Sequence, residues 1–423
     1  MKRRDIFRRH QGKGWRLERG FIVIVACVVF GSLISCQPAT PVPPTSTSAP
    51  SAVPPTSTAT HIPTRTRTHT RTPSPTSIFS PDAILTRGPY LQSVTTNSVI
   101  VVWETDLPSL GKVSYGEAGE YSYRVTGPGV DTHHAITLPG LMPYTLYQYR
   151  VESDFAPMSE GATFRTAASP DQTEFTFVAF GDTRTNNQYH QEVVDQIVTV
   201  EPDFVLHTGD LVAMGTATHQ WRNFFAIERE LLSHAPFYPT LGNHEGINPR
   251  YFDYFYLPGN EHWYTFEYGN ARFVALQVDR FEYHHPGSKQ YVWLEEVLAS
   301  NTQPWLFVYF HLSPYTSVED ENTDDDEGGA RETLPQLFGQ YGVDVVFSGH
   351  SHSYERNEVD GITYIVTAGG GAPMYSQKVQ EPTQAAFAGE YHFVLLEVDG
   401  NRLKGTAISI AGDVLDEFER RAD

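Results

Sequence analysis

The sequence predicts two folded regions in series, an all-β sandwich over residues 84–167 and a layered α/β domain over residues 172–418. Three observations predict this. Residues 84–167 are short alternating apolar runs broken by Gly, Pro and Asn turns, the period of half-buried strands. From residue 174 onward, strand-like apolar runs alternate with helix-like segments, the pattern of an α/β layer structure. At 423 residues the chain also exceeds what one hydrophobic core ordinarily holds.

The amino terminus obeys different physics. Residues 1–20 carry Lys2, Arg3, Arg4, Arg8, Arg9, Lys13, Arg16 and Arg19, and Phe21 to Ser35 is a continuous run of small and apolar residues. That run has 15 residues, fewer than the ~20 a membrane-spanning helix needs. A charged stretch followed by a short apolar one reads as a secretory signal. Leu33-Ile34-Ser35-Cys36 resembles a bacterial lipobox. The resemblance implies that residues 1–36 are a lipoprotein signal segment and that Cys36 is lipidated and attaches the mature chain to the membrane. An uncleaved anchor is the alternative, and either one places the rest of the chain outside the cytoplasm. Cys27 lies inside the signal, so a mature chain would hold no disulfide. Residues 37–80 are rich in Pro, Thr and Ser, cannot bury a core and predict an extended stalk.

Charge excludes one class of partner. Residues 1–72 contain 11 of the 30 basic and two of the 50 acidic residues, which leaves 19 against 48 and a net charge of −29. The folded regions therefore carry no basic nucleic-acid footprint. Such a surface favours solubility and repels polyanions except close to a metal.

In the first folded region, strands are expected at Ser98–Trp103, Lys112–Tyr115, Ala135–Leu138, Tyr147–Val151 and Ala162–Arg165. The stretch from Leu141 to Tyr149 resembles the tyrosine corner of fibronectin type III modules. Arg87-Gly88-Pro89-Tyr90-Leu91 with Trp103 resembles the opening of the domain that precedes the catalytic part of many purple-acid-phosphatase-like enzymes. Nothing here reads as catalytic; His133 and His134 read as solvated loop residues.

In the second region, five apolar runs each deliver oxygen or nitrogen donors at their carboxyl ends. Phe175–Phe180 runs into Gly181-Asp182, and Phe204–Leu206 leads to Gly209-Asp210. Pro239–Leu241 runs into Gly242-Asn243-His244-Glu245, Trp305–Phe310 into His311, and Val343–Phe347 leads to Gly349-His350-Ser351-His352. That edge is where open α/β sheets bind ligands. A single such Asp would read as a helix N-cap and a single His as a core residue; five in series fit neither. Carboxylates and imidazoles suit Zn, Fe and Mn, and no thiolate is available for a cysteine site. Helices are expected at Gln191–Val200 and Trp221–Leu232, and further strands at Trp263–Tyr268, Arg272–Val278, Ile362–Ala368 and Tyr391–Val398.

The series GD, GD, GNHE, VxxH and GHxH resembles the calcineurin-like metallophosphoesterases. Gly349-His350-Ser351-His352-Ser353-Tyr354-Glu355-Arg356 is similar to their purple acid phosphatase branch. The resemblance implies an α/β four-layer (αββα) metallophosphoesterase domain behind a fibronectin III-like sandwich. It implies a dinuclear centre of two Fe, Zn or Mn ions that activates hydroxide against a small phosphate ester. Carried over residue by residue, Asp182 and His352 would bind the first metal, Asp210 would bridge, and Asn243, His311 and His350 would bind the second. His244 would be the general acid or oxyanion partner.

The sequence departs from that pattern at the first metal. The branch places a tyrosine three residues after the second aspartate, where this chain has Ala213; other members use Asp-x-His at the first motif, where it has Arg184. Water, Asn186 or His190 could complete the site. Arg184 reads either as a clamp on a substrate phosphate or as the partner of an acidic neighbour. A surface-anchored binding module with a degenerate metal site is therefore the alternative to an enzyme. The acidic run Glu319–Glu327 reads as a solvated loop.

Overall fold

The computed structural model describes residues 83–422 except 118, 154–156, 279–283 and 319–329. The expected signal segment, Cys36, the stalk and the acidic run Glu319–Glu327 lie outside the described residues. No described helix is long and apolar enough to cross a membrane.

The amino-terminal region is all-β: β1 (Leu85–Gln92), β2 (Ser98–Glu117), β3 (Tyr123–Pro139), β4 (Leu146–Glu152) and β5 (Ala162–Arg165). Two strands expected separately, Ser98–Trp103 and Lys112–Tyr115, are halves of one long β2. Its register shifts between Glu104 and Ser109 and between Leu110 and Lys112, where the short apolar period breaks. The first half of β2 pairs with β1 and the second with β4, while β3 runs beside both. Irregularities of this kind bend a strand without ending it. Tyr147 Oη accepts a hydrogen bond from Met142 N at 3.0 Å, as a tyrosine corner requires. His133 and His134 lie on β3, not on a loop. His134 is buried and stacks on Trp103 at 4.7 Å, and His133 Nε2 meets Tyr256 Oη at 2.8 Å.

Two further sheets follow. The first contains β6 (Glu174–Phe180), β7 (Phe204–His207), β8 (Phe237–Pro239), β16 (His392–Asp399), β17 (Arg402–Ser409) and β18 (Val414–Arg421), in the order β18-β17-β16-β6-β7-β8. The second contains β9 (Tyr264–Tyr268), β10 (Ala271–Ala275), β11 (Trp305–Tyr309), β12 (Val345–Ser348), β13 (Tyr354–Val359), β14 (Ile362–Thr367) and β15 (Gln384–Ala388), in the order β15-β13-β14-β12-β11-β10-β9. Helices α1 (Asn187–Thr199), α2 (Thr218–Ile227), α3 (Arg229–His234) and α4 (Pro249–Tyr254) connect strands of the first sheet or lead out of it. Helices α5 (Lys289–Ala299) and α6 (Ala330–Tyr341) precede β11 and β12. The helix expected over Trp221–Leu232 is interrupted at Glu228, whose carboxylate is buried against His190 Nε2 at 2.7 Å.

The period of two along each strand decides which neighbour a side chain meets. Phe273, Phe307 and Phe347 face Phe177 across the two sheets, with ring centroids 5.2, 5.4 and 6.1 Å away. Their neighbours Val274, Val308 and Val346 turn the other way, into a separate core with Leu294 and Leu298 of α5 and Leu334 and Phe338 of α6. The sheets thus share an aromatic interior, and α5 and α6 cover the outer face of the second.

Strands β6, β7 and β8 run parallel, as do β11 and β12. All five donor-bearing segments therefore leave their sheets at the same edge. The amino-terminal sheet braces the domain through side-chain bonds to main chain: Tyr90 Oη to Tyr254 O at 2.7 Å, Tyr149 Oη to Ser233 O at 2.8 Å and Ser93 Oγ to Tyr256 O at 2.6 Å.

Candidate metal centre

The turns after the strands put the donors where they are. Asp182, Asp210 and His350 adopt positive φ of 59°, 58° and 67°, a region non-glycine residues avoid unless the surroundings impose it. Glycines provide clearance. Gly209 sits at φ 96°, and a Cβ on Gly349 would come within 2.5 Å of Asp182 Oδ2. Asp182 N donates to Gly209 O at 3.0 Å, and His350 N donates to Asp182 Oδ2 at 3.0 Å, so three of the five turns are tied together.

Glu245 is a residue of this region that sequence reasoning left without a role. Its buried carboxylate accepts from Asp210 N at 2.9 Å, Val212 N at 2.9 Å and Gly242 N at 3.1 Å. It thereby fixes the loop of Asp210 to the loop of Asn243. Burial, with Asp210 nearby, pushes its carboxyl up to about 8. The signal that could have found it is its place two residues after Asn243 in an otherwise polar motif.

The structure brings together the predicted donors. Among the described residues, Asp182, Asp210 and His311 each offer an atom within 4.8 Å of the others, and all three are buried. His311 Nδ1 donates to Thr208 O at 2.9 Å, which leaves Nε2 with a bare lone pair. That lone pair faces Asn243 Oδ1 at 2.9 Å, His350 Nδ1 at 3.3 Å and Asp210 Oδ1 at 3.4 Å. His350 Nδ1 lies 3.2 Å from Asn243 Oδ1. Ligand distances of ~2.0–2.1 Å give polyhedron edges of about 2.9 Å for an octahedron and about 3.3 Å for a tetrahedron. These four separations match such edges. His311 Nε2, Asn243 Oδ1 and Asp210 Oδ1 are acceptors facing one another, an arrangement that a cation among them would satisfy, and these residues fit a metal.

The other predicted ligands have different company. His352 Nδ1 donates to Pro373 O at 2.8 Å, its ring stacks on Tyr375 at 4.3 Å, and its Nε2 lies 3.5 Å from Asp182 Oδ1. Arg184 reaches into this side: Nε donates to Asp210 Oδ2 at 3.0 Å and Nη2 meets His352 Nε2 at 3.1 Å. Asp182 Oδ1 is buried and has no hydrogen-bond partner among the described residues. Burial works to raise the Asp182 pKa, but His352, His311 and Arg184 outweigh it and hold the carboxyl below the usual carboxylate range. Burial, reinforced by His311, pushes His350 down to about 4, so its imidazole stays neutral.

His244 stands at the rim, half-buried. Its Nδ1 lies 2.8 Å from the carbonyl of Ala213, and its Nε2 faces Asp210 Oδ2 at 3.7 Å. His190 is engaged elsewhere with Glu228, and Asn186 precedes α1 without capping it by its side chain. Of the two candidate replacement ligands, His190 is thus committed to the interior.

Residues 175–354 match the family model described as calcineurin-like phosphoesterase. They form a calcineurin-like phosphoesterase domain. Every predicted site residue lies inside it. The chain is 30% identical over 270 residues to purple acid phosphatase 18 of Arabidopsis thaliana, covering 59% of each protein. It is 27% identical over 326 residues to a protein of the same plant named "Probable inactive purple acid phosphatase 27", covering 62% of this chain and 53% of that one. The chain thus spans little more than half the length of these relatives. The purple acid phosphatase PPD1 from seeds of yellow lupin (Lupinus luteus) superposes with a TM-score of 0.70 over 80% of this chain and 75% of that one, at 21% identity. At that coverage the likeness of fold takes in the all-β region as well as the phosphoesterase domain.

Proposed function

We propose that this protein is a metal-dependent phosphoric ester hydrolase of the acid phosphatase type, working outside the cytoplasm. The observation that carries the reading is the convergence of Asp210, Asn243, His311 and His350 at coordination spacing, with His244 beside them. Asp210, Asn243, His311 and His350 would hold an Fe, Zn or Mn ion, and Asp182 with His352 would face its other side. The bound metal would supply a Lewis acid and water of lowered pKa.

The protein's own groups do the rest. His244 has its Nδ1 held by the Ala213 carbonyl, so protonation places an N–H on Nε2, the nitrogen that faces the site. From there it can donate to the leaving oxygen of the ester, the step a general acid performs. Glu245 holds Asp210 and the Asn243-His244 turn in fixed relation, which keeps donor and acid in one geometry. Small phosphomonoesters are the proposed substrates, with phosphodiesters as the second class. Lipidation at Cys36 would attach the chain to the membrane, with residues 37–80 as the stalk and 84–167 and 172–418 as the folded domains.

A second reading, a surface-anchored binding module with a degenerate metal site, draws on the contact between Arg184 and Asp210. The test is release of p-nitrophenol from p-nitrophenyl phosphate and bis(p-nitrophenyl) phosphate by the full chain in detergent with Fe, Zn or Mn supplied. Metal-dependent turnover that Asp210→Asn abolishes supports the hydrolase. Metal binding without turnover of either ester supports the binding module.

A further inference from the structure

The two sides of the centre differ in one chemical respect. Around His311 Nε2, the lone pair faces the acceptors Asn243 Oδ1 and Asp210 Oδ1, and among the described residues no cationic side chain lies between them. Around His352 Nε2 the charge is already present. The Arg184 guanidinium lies between Asp210 Oδ2 and His352 Nε2, with N–H groups directed at both.

We infer that Arg184 takes the place of one of the two metal ions, so that the centre binds a single metal and uses the guanidinium as its second, permanent cation. This rests on the hydrolase reading above and specifies the composition of its site. The argument is one of lone pairs. A neutral imidazole has a single lone pair. With Nδ1 of His352 donating to Pro373 O, that lone pair is on Nε2 and accepts from Arg184. It cannot bind a metal at the same time. A guanidinium keeps its proton in proteins, so the conflict is not relieved by deprotonation. Asp210 is divided in the same way, with Oδ1 toward His311 and Oδ2 toward Arg184.

The rest of the neighbourhood agrees. Ala213 offers no side-chain donor to a metal on this side, and its carbonyl is occupied with His244. Arg184, Ala213, His219 and Gln220 instead border a cavity of about 200 Å³. The single ion would be held by Asp210, Asn243, His311 and His350, with the Asp182 carboxylate, which offers an atom within 4.8 Å of both Asp210 and His311, beside it. A planar fork of N–H groups in the other position can also hold phosphoryl oxygens, which a guanidinium does bidentately.

The test is metal stoichiometry, read without turnover. The full chain in detergent is equilibrated with excess Mn2+ or Zn2+, desalted, and its metal-to-protein ratio measured by plasma mass spectrometry. One ion per chain is expected for the wild type, and two for Arg184→Gln, which keeps the size of the side chain and removes its charge. Arg184→Lys, still cationic, should stay at one. The manganese-loaded wild type should show the resolved hyperfine pattern of an isolated ion in its electron paramagnetic resonance spectrum, and Arg184→Gln the broadened signal of a coupled pair. Two ions in the wild type would overturn the inference and leave the hydrolase reading intact. No bound ion in the wild type would overturn the metal-dependent reading itself. A ratio of one in both the wild type and a folded Arg184→Gln would show that Arg184 does not exclude the second ion.

Discussion

Two closely spaced histidine pairs have opposite fates in this molecule. His133 and His134 sit on a strand of the amino-terminal sheet, where one fastens to Tyr256 and the other is stacked on Trp103. His350 and His352 sit on a turn between strands, and both direct a ring nitrogen into the site, His352 toward Asp182 and His350 toward Asn243 and His311. Residue type is the same, and the difference lies in the backbone. A strand sends adjacent side chains to opposite faces, one inward and one outward. A turn at positive φ after a parallel strand can aim two side chains at one point. Spacing of histidines therefore says little until the end of the strand beneath them is located.

If that contrast is right, substitutions at the sheet edge should cost metal binding and turnover, and substitutions in the all-β region should cost stability. The largest expected effect is from Asp210→Asn, since its two oxygens serve both halves of the centre. Turnover of p-nitrophenyl phosphate should fall by roughly 10³-fold or more, with loss of bound metal by mass spectrometry. A variant that kept both would remove Asp210 from the site. His244→Ala should lower turnover by about 10²–10⁴-fold, the range of general acid catalysis, while the metal content stays at the wild-type value. Metal lost along with turnover would instead make His244 a ligand.

Glu245→Ala crosses the divide, because it sits at the edge but acts on main chain. It strands the N–H groups of Asp210, Val212 and Gly242 and should cost roughly 3–9 kcal/mol in chemical denaturation, at ~1–3 kcal/mol per orphaned buried group. Stability unchanged within error would mean that water replaces the carboxylate. The smallest effect belongs to the all-β region and is one of pH. Burial lowers the His134 pKa from 6.5 to about 4. A depressed value means the folded state binds its proton less readily than the unfolded one. His134 thus contributes stability that is full above pH 6.5 and is lost as pH falls toward 4. His134→Gln should flatten the fall of melting temperature over that window and leave turnover unchanged. A slope identical to the wild type would assign the acid sensitivity to other buried histidines, such as His392, which burial also lowers to about 4.

The sequence by itself determined the fold class and nominated the donors of the candidate site, for a definite physical reason. Apolar periods of two and the glycines that end them are local properties, so the five strand ends and their donors could be read one at a time. It also determined that residues 213 and 184 were unusual. What only the tertiary structure decided was partnership. Hydrogen bonding across 26 to 168 positions of sequence decided that Arg184 meets Asp210 and His352, and the buried Glu245 was selected by three N–H groups from two different loops. The continuity of β2 was settled in the same way. Its neighbours β1, β3 and β4 carry a single strand through two irregular registers that a local reading takes for its ends. A lone pair, a carboxylate oxygen or an N–H acquires its role from what faces it, and that is set by the folding of distant segments onto one edge.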